Sequence, residues 1–248
     1  MIELNNREIA GKILVELGHE PTDGQQQLTD MLADFVAQPV SPKQRQAFLI
    51  KGYAGTGKTT LVSALVRVLP LVGMQSVLLA PTGRAAKVLS GYSRKQALTI
   101  HRKIYKAVTR ADGRLTMGPG QNPHKYTLFI VDEASMIPGS DSAADQGIYQ
   151  HRDLLDDLIN YVFSSEGCKL LLIGDTAQLP PVGTDQSPAL SPETLERSYH
   201  LDIRSYELSD VVRQSLDSGI LSNATRLRKQ SAEASPVLPF FNLGQFSD

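Results

Sequence analysis

Cysteine is almost missing from this chain of 248 residues: Cys168 stands alone, immediately before the apolar run Leu170 to Ile173. One cysteine cannot close an internal disulfide, which excludes a stapled secreted scaffold, and a thiol beside a buried strand serves packing rather than nucleophilic attack. A reducing cytoplasm is the expected setting. Long hydrophobic runs are also lacking. The most apolar stretch, Leu61 to Met74, is broken by Arg67 and Pro70, and Met1 to Ala10 carries Glu3, Arg7 and Glu8. Neither a membrane span nor a secretory signal is expected. The third absence is local. From Phe35 to Ala111 there is no Asp or Glu, while thirteen Lys or Arg occur. The formal net charge of −1 hides this segregation, because the remaining residues hold all 26 acids against 12 bases. A contiguous cationic segment can line a groove for a polyanion; the same cations on different faces would serve only solubility.

What is present is ordinary in amount, with 41% hydrophobic and 21% charged residues, and ordered in arrangement. The length suits one large α/β domain or two small ones, and favours one. Leu28, Met31, Leu32, Phe35 and Val36 have the spacing of one buried helix face and predict a helix from Gln25 to Gln38, ended by Pro39 and Pro42. A strand follows at Ala47 to Lys51, then a helix to about Leu69, a turn at Gly73 and a strand at Ser76 to Ala80. Arg84 to Leu89 reads as a short helix and Ala97 to Val108 as another. A small hairpin is expected between the tight-turn signal Ala111-Asp112-Gly113 and the loop Gly118 to Pro123. Beyond it come a strand (Tyr126 to Val131), a polar loop (Pro138 to Gly147) and a helix whose buried face is Leu154, Leu155, Leu158, Ile159, Val162 and Phe163. Two more strands, Lys169 to Ile173 and Tyr199 to Leu208, complete the order. Strands alternating with helices at this spacing predict an α/β fold with a parallel sheet covered on both faces.

Three constellations lie at expected strand ends. Gly52-Tyr53-Ala54-Gly55-Thr56-Gly57-Lys58-Thr59 is a complete G-x-x-x-x-G-K-[ST] phosphate loop between a strand and a helix. Triphosphate oxygens need several backbone N–H donors converging on one point, and glycines let the chain wrap that tightly before the helix presents its positive end. Lys58 would neutralise the outer phosphates, and the Thr59 hydroxyl would hold Mg²⁺. The strand Leu128 to Val131 then ends in Asp132-Glu133, which suits a carboxylate for the Mg²⁺ sphere and a second to polarise a water. Nucleotide kinases generally lack that second acid. Finally Gly174-Asp175-Thr176-Ala177-Gln178-Leu179-Pro180-Pro181 delivers an amide, able to donate and accept, ahead of a stiff Pro-Pro.

In this order the phosphate loop, Val131-Asp132-Glu133-Ala134-Ser135 and the Gln178-Leu179-Pro180-Pro181-Val182 ending resemble motifs I, II and III of superfamily 1 DNA helicases, the last being similar to the RecD-like branch, which moves 5′ to 3′ on single-stranded DNA. The resemblance covers about Thr22 to Gln230 and implies a P-loop NTPase with a RecA-like sheet. It implies ATP and Mg²⁺ as cofactors. Gly52, Gly55, Thr56, Gly57, Lys58, Thr59 and Thr60 would bind the nucleotide, with Thr59 and Asp132 at the metal. Thr22-Asp23-Gly24-Gln25 looks like the Q motif, which makes Gln25 the adenine contact. Lys58, Glu133, Gln178 and, in a segment resembling motif IV, Arg213 take the catalytic roles. Pro81, Thr82 and Arg84 resemble motif Ia, and Thr99 and His101 the neighbouring Ib motif; both contact the DNA strand in the family.

The expected division is a helical segment at 1–40, a RecA-like domain at 41–230 with a small insertion at about 108–126, and a tail at 231–248. Motifs V and VI, which sit on a second RecA-like domain in this family, are not in the sequence. A longer protein, or a partner domain on a separate chain, is therefore expected, with weak or absent hydrolysis and no strand separation by this part alone, and with nuclease or recombination subunits as further partners. The insertion lies where the family carries its strand-separating pin, but Ala111-Asp112-Gly113 offers no aromatic wedge. Two other functions fit a phosphate loop: a non-catalytic ATP-binding switch or loader, and a small-molecule kinase.

Overall fold

The computed structural model describes residues 4–40, 44–109, 115–139, 153–179, 181, 186–209 and 223. Two helices precede the sheet. Helix α1 (Asn6–Leu17) begins with a reciprocal capping box between Asn5 and Glu8 and stops at Gly18, whose φ of 77° is the left-handed turn that glycine adopts without cost. Helix α2 (Asp23–Ala37) begins with the same device, Thr22 paired with Gln25. The chain then runs through β1 (Gln46–Gly52), α3 (Lys58–Val68), a 3-10 turn (Leu69–Val72), β2 (Gln75–Ala80), α4 (Gly83–Ser93), β3 (Ala97–Thr99) and a five-residue helix α5 (Ile100–Ile104). After these come β4 (Tyr105–Thr109), β5 (Leu115–Pro119), β6 (Thr127–Val131), a 3-10 turn (Ala134–Met136), α6 (Leu154–Phe163), β7 (Lys169–Gly174), a 3-10 turn (Pro188–Leu190), α7 (Pro192–Tyr199) and β8 (Asp202–Leu208).

Six strands form one parallel sheet in the order β3-β2-β6-β7-β1-β8, and β4 and β5 pair antiparallel as a separate hairpin. Side chains alternate across the sheet, so each strand feeds two cores. Phe48, Ile50, Leu78, Ile130, Leu171 and Ile173 pack with α1 to α4. Ala47, Leu49, Leu79, Phe129, Val131, Leu170 and Leu172 pack with α5, α6 and α7. This is the expected α/β sheet with helices on both faces and a small hairpin insertion. No helix among the described residues is long and apolar enough to cross a membrane.

The register fixes where the motifs emerge. Leu49, Leu172, Val131, Leu79 and Leu98 lie in one row across β1, β7, β6, β2 and β3. One to three residues beyond that row come Gly52, Gly174, Asp132 and Thr99. Every parallel strand therefore releases its polar residues at the same carboxyl rim.

The expectation for Ala97 to Val108 is overturned. Instead of one helix, Ala97–Thr99 extends the sheet along β2, Ile100–Ile104 makes a little over one turn, and Tyr105–Thr109 is the first hairpin strand. Tertiary contacts outweigh the helical spacing of Ile100 and Ile104. The open edge of β2 is paired by β3, and the Tyr105 hydroxyl donates to the buried Asp157 carboxylate at 2.7 Å, which pulls the chain out of helix. The hairpin thus starts before the turn signal and places Ala111-Asp112-Gly113 between its strands, outside the described residues. The last strand is shorter than expected, because Tyr199 ends α7, a helix opened by Ser191 and Pro192. The tail at 231–248 also lies outside the described residues.

Candidate nucleotide site

The phosphate loop leaves β1 at Gly52. A Cβ there would come within 2.6 Å of the Leu208 carbonyl oxygen at the end of β8, so only glycine allows that approach. Gly55 and Gly57 both have φ of 83°, and Gly57 caps α3 without a side chain, leaving the first N–H groups of the helix aimed into the loop. Thr56 is fully buried; its hydroxyl donates to the Tyr53 carbonyl at 2.9 Å, which stiffens the loop from within. The Lys58 ammonium donates to the carbonyls of Gly52 (2.7 Å) and Tyr53 (2.8 Å) and sits at the mouth of a cleft of about 280 Å³.

Two carboxylates face it. The Thr59 hydroxyl lies 3.5 Å from an Asp132 carboxylate oxygen, near enough for one cation to be held by both. Burial raises the Asp132 carboxyl above its ordinary range and the neighbouring Glu133 charge adds to this, while a hydrogen bond from the Glu133 backbone N–H, the Lys58 charge and the Thr59 hydroxyl pull the other way. Glu133 has φ of 57° and ψ of 37°, a left-handed conformation uncommon for this residue type, held by that 2.9 Å bond to the Asp132 side chain. Local strain of this kind aims the Glu133 side chain where an ordinary strand exit would not. Among the described residues no group of three or more His, Cys, Asp or Glu is placed to hold a metal ion by itself. A divalent ion on Thr59 and Asp132 would therefore take its other oxygens from phosphate and water, as Mg²⁺ commonly does.

Gln178 closes the cleft from β7. Its Oε1 accepts from the Ser135 hydroxyl at 2.8 Å, joining the turn after Glu133 to the loop after β7. Ser187 donates to the carbonyls of Ala134 (3.0 Å) and Ile137 (2.7 Å), fixing the same turn from behind. Lys58, Thr59, Thr60, Asp132, Glu133 and Gln178 thus border one cavity with Gly55 and Gly57. The sequence reading missed Asp175 and Tyr92, which also line it, and Ser135. Asp175 and Ser135 stand inside motifs that were recognised, so position alone could have flagged them; Tyr92 belongs to α4, and no local signal marks it.

Gln25 is fully buried beside the loop. Its Nε2 donates to the Thr56 carbonyl at 3.0 Å, and its Oε1 accepts from the Thr22 N–H at 3.2 Å. Its amide here holds the phosphate loop to α2. Thr82 and Thr99 lie at the carboxyl ends of β2 and β3, and each caps a helix by accepting an N–H at 3.2 Å, from Ala85 and Arg102 respectively. Pro81 and Arg84 flank Thr82 on the same rim, with Arg84 exposed, and His101 stacks at a tilt on Tyr105 with centroids 5.5 Å apart. Arg213 lies outside the described residues.

Comparison with known proteins gives a consistent picture. The chain is 34% identical over 137 residues to the ATP-dependent RecD2 DNA helicase of Deinococcus radiodurans, covering 54% of this chain and 16% of that protein. It is 31% identical over 183 residues to the ATP-dependent DNA helicase Dda of phage T4, covering 72% of this chain and 37% of that one. The Pif1 helicase of Candida albicans shares the fold, with a TM-score of 0.52 at 19% identity over 85% of this chain and 44% of the other. The chain therefore spans less than half the length of each of these relatives. The family model described as an AAA domain matches residues 34–237, most of the chain, and it is to that family that the chain belongs.

Proposed function

We infer that this chain is the ATP-binding motor domain of a RecD-like DNA helicase, coupling ATP hydrolysis to movement along single-stranded DNA. The observation that carries this is the meeting of Lys58, the Thr59–Asp132 pair, Glu133 and Gln178 around one cleft at the carboxyl rim. The residues fit Mg·ATP: left-handed glycines at 55 and 57 open the loop, Thr59 and Asp132 offer two oxygens to Mg²⁺, and the Lys58 ammonium can exchange two carbonyls for phosphate oxygens. Held by Thr59 and Asp132, Mg²⁺ would supply neutralisation of phosphate charge. Glu133 accepts the proton of the attacking water, Gln178 senses the γ-phosphate end of the cleft, and Arg213 is a further contact to it. Gln25 adjusts the loop through Thr56 and takes the adenine edge on exchanging those bonds. Pro81, Thr82, Arg84, Thr99 and His101 receive the DNA strand on the adjoining β2 and β3 tips. A second RecA-like domain closes the cleft, and nuclease or recombination subunits are further partners.

The Asp132-Glu133 pair and the Ser135–Gln178 link favour this over a small-molecule kinase or a passive switch, since neither requires a base and a relay on the same turn. The test is Mg·ATP binding by this chain, followed with a fluorescent nucleotide, and hydrolysis by the full-length protein with and without single-stranded DNA. Binding lost in Lys58→Ala and hydrolysis raised by DNA are expected. Binding indifferent to Lys58→Ala, or turnover that DNA leaves unchanged, overturns the assignment.

A further inference from the structure

A second cavity, of about 340 Å³, opens on the flank of the edge strand β3 and shares none of its described lining residues with the nucleotide cleft. Arg102 and Lys103 of α5 and Lys106 of β4 converge on it, with the amide side chains of Gln96 and Gln121 at its sides and Tyr161 of α6 in its wall. Among the described residues no carboxylate lines it. Among the described residues none of these three cations takes part in an ion pair. The Lys103 ammonium lies 2.6 Å from His124 Nε2. For that contact to be a hydrogen bond the imidazole must be neutral and accepting, which leaves Lys103 two more N–H groups to give. Burial lowers the Lys103 pKa and the Lys106 charge lowers it further; His124 is likewise lowered, by burial and then by Lys103 and Lys95. Lys103 is half-buried while Arg102 and Lys106 are exposed, so the repulsion among them is modest and a bound anion would relieve it.

We propose that this flank pocket is a second nucleic-acid backbone site, gripping a phosphodiester segment distinct from the strand on the β2 and β3 tips. It rests on the DNA-motor reading and adds a place on the molecule that reading does not use. Continuity argues for nucleic acid. Thr99 and His101 of the rim belong to the same short segment as Arg102 and Lys103, so the pocket adjoins the surface proposed for the DNA strand and adds to the same positive field. Geometry argues for a separate segment. The pocket faces sideways, between the hairpin base and α6, whereas a strand lying across the rim runs over the ends of the strands. Amides and an aromatic wall beside the cations suit sugar and base edges as well as phosphate.

The experiment compares binding of single-stranded and forked DNA to this chain by fluorescence anisotropy across a salt series. The double variant Arg102→Glu/Lys106→Glu should weaken fork binding about tenfold in low salt and flatten its salt slope by about two. Single-strand and nucleotide binding should be unchanged. Arg102→Gln/Lys106→Gln should show the same selectivity with smaller loss, which guards against misfolding. If the variant binds forks as tightly as wild type, or loses both DNA forms equally, the second site is refuted while the DNA-motor reading stands. Displacement of fork by polyglutamate at matched charge would assign the pocket to acidic protein and refute it too. Wild type that binds neither DNA overturns both.

Discussion

Two lysines at opposite ends of the sheet do the same thing in different surroundings. Lys58, at the carboxyl rim, donates to the carbonyls of Gly52 and Tyr53. Lys169, opening β7 at the amino end, donates to the carbonyls of Phe35 and Gln38 and lies 4.9 Å from the centre of the Phe35 ring. Lys169 is fully buried and closes the carboxyl end of α2, where the helix presents unsatisfied oxygens and its negative pole. It lines neither the nucleotide cleft nor the flank pocket. Lys58 borders an open cleft where phosphate oxygens could replace its carbonyls. Hydrogen bonding alone does not distinguish function from scaffolding; an accessible alternative partner does.

The largest effects should fall on the rim. Lys58→Met removes the charge that phosphate oxygens would meet, and turnover of ATP should fall by about a hundredfold or more, with the fold intact by circular dichroism. Glu133→Gln should lower turnover by about 10² to 10⁴ while nucleotide binding survives, which a fluorescent nucleotide titration alongside a phosphate-release assay separates. Equal loss of binding and turnover in Glu133→Gln would remove its role as base.

The amino end should respond in stability instead, and with pH. Burial holds the Lys169 pKa at about 8, with Arg204 adding to the lowering and Asp34 opposing it, against an ordinary 10.5. The unfolded chain therefore binds this proton more tightly than the folded one. The penalty is complete below pH 8 and is relieved as pH rises from about 8 to 10.5. The stability of wild type relative to Lys169→Met should accordingly rise by about 2 kcal/mol between pH 7 and pH 10. Paired urea unfolding curves measure it; a difference independent of pH would show that the ammonium is better solvated than its burial implies.

How these ends could be read in advance differs for the same reason. The rim was legible because phosphate chemistry demands fixed residue types at fixed spacing: glycines at 55 and 57, Lys58, Thr59 and the Asp132-Glu133 pair. Lys169 was legible only as the first residue of a strand, since nothing in its neighbourhood in sequence points to α2, more than a hundred residues earlier. The helix expected from Ala97 to Val108 failed similarly. The local pattern Ile100, Ile104 is helical, but pairing of β3 with β2 and the Tyr105–Asp157 bond come from segments distant in sequence. Tyr92 and the flank pocket share this property. Motifs announce sites built from one segment; sites assembled from several must be seen in three dimensions.

A smaller effect tests how closely the rim is packed. In Gly52→Ala the new methyl carbon would stand 2.6 Å from the Leu208 carbonyl oxygen, and a backbone atom cannot swing aside as a side-chain tip can. Either β8 parts from the loop or the loop shifts into the cleft. A stability loss of about 1–3 kcal/mol together with weaker nucleotide binding is expected from thermal unfolding with and without Mg·ATP. Unchanged nucleotide stabilisation would mean that the loop keeps its shape and the sheet edge gives way.

The smallest change is Ser135→Ala, which removes one hydroxyl and leaves the rim charges untouched. Ser135 is buried and Gln178 is exposed, so the freed Oε1 can turn to water and the loss of stability should be only about 1 kcal/mol. Gln178 would then lose its tie to the turn that carries Glu133. If that tie passes the state of the nucleotide to the Pro-rich loop, basal turnover should stay within about threefold while stimulation by single-stranded DNA declines, because only the second depends on the two loops moving together. The double variant Ser135→Ala/Gln178→Ala distinguishes the cases: a coupled pair gives no further loss of stimulation beyond Gln178→Ala, whereas independent roles give additive losses and reduce the hydrogen bond to local packing.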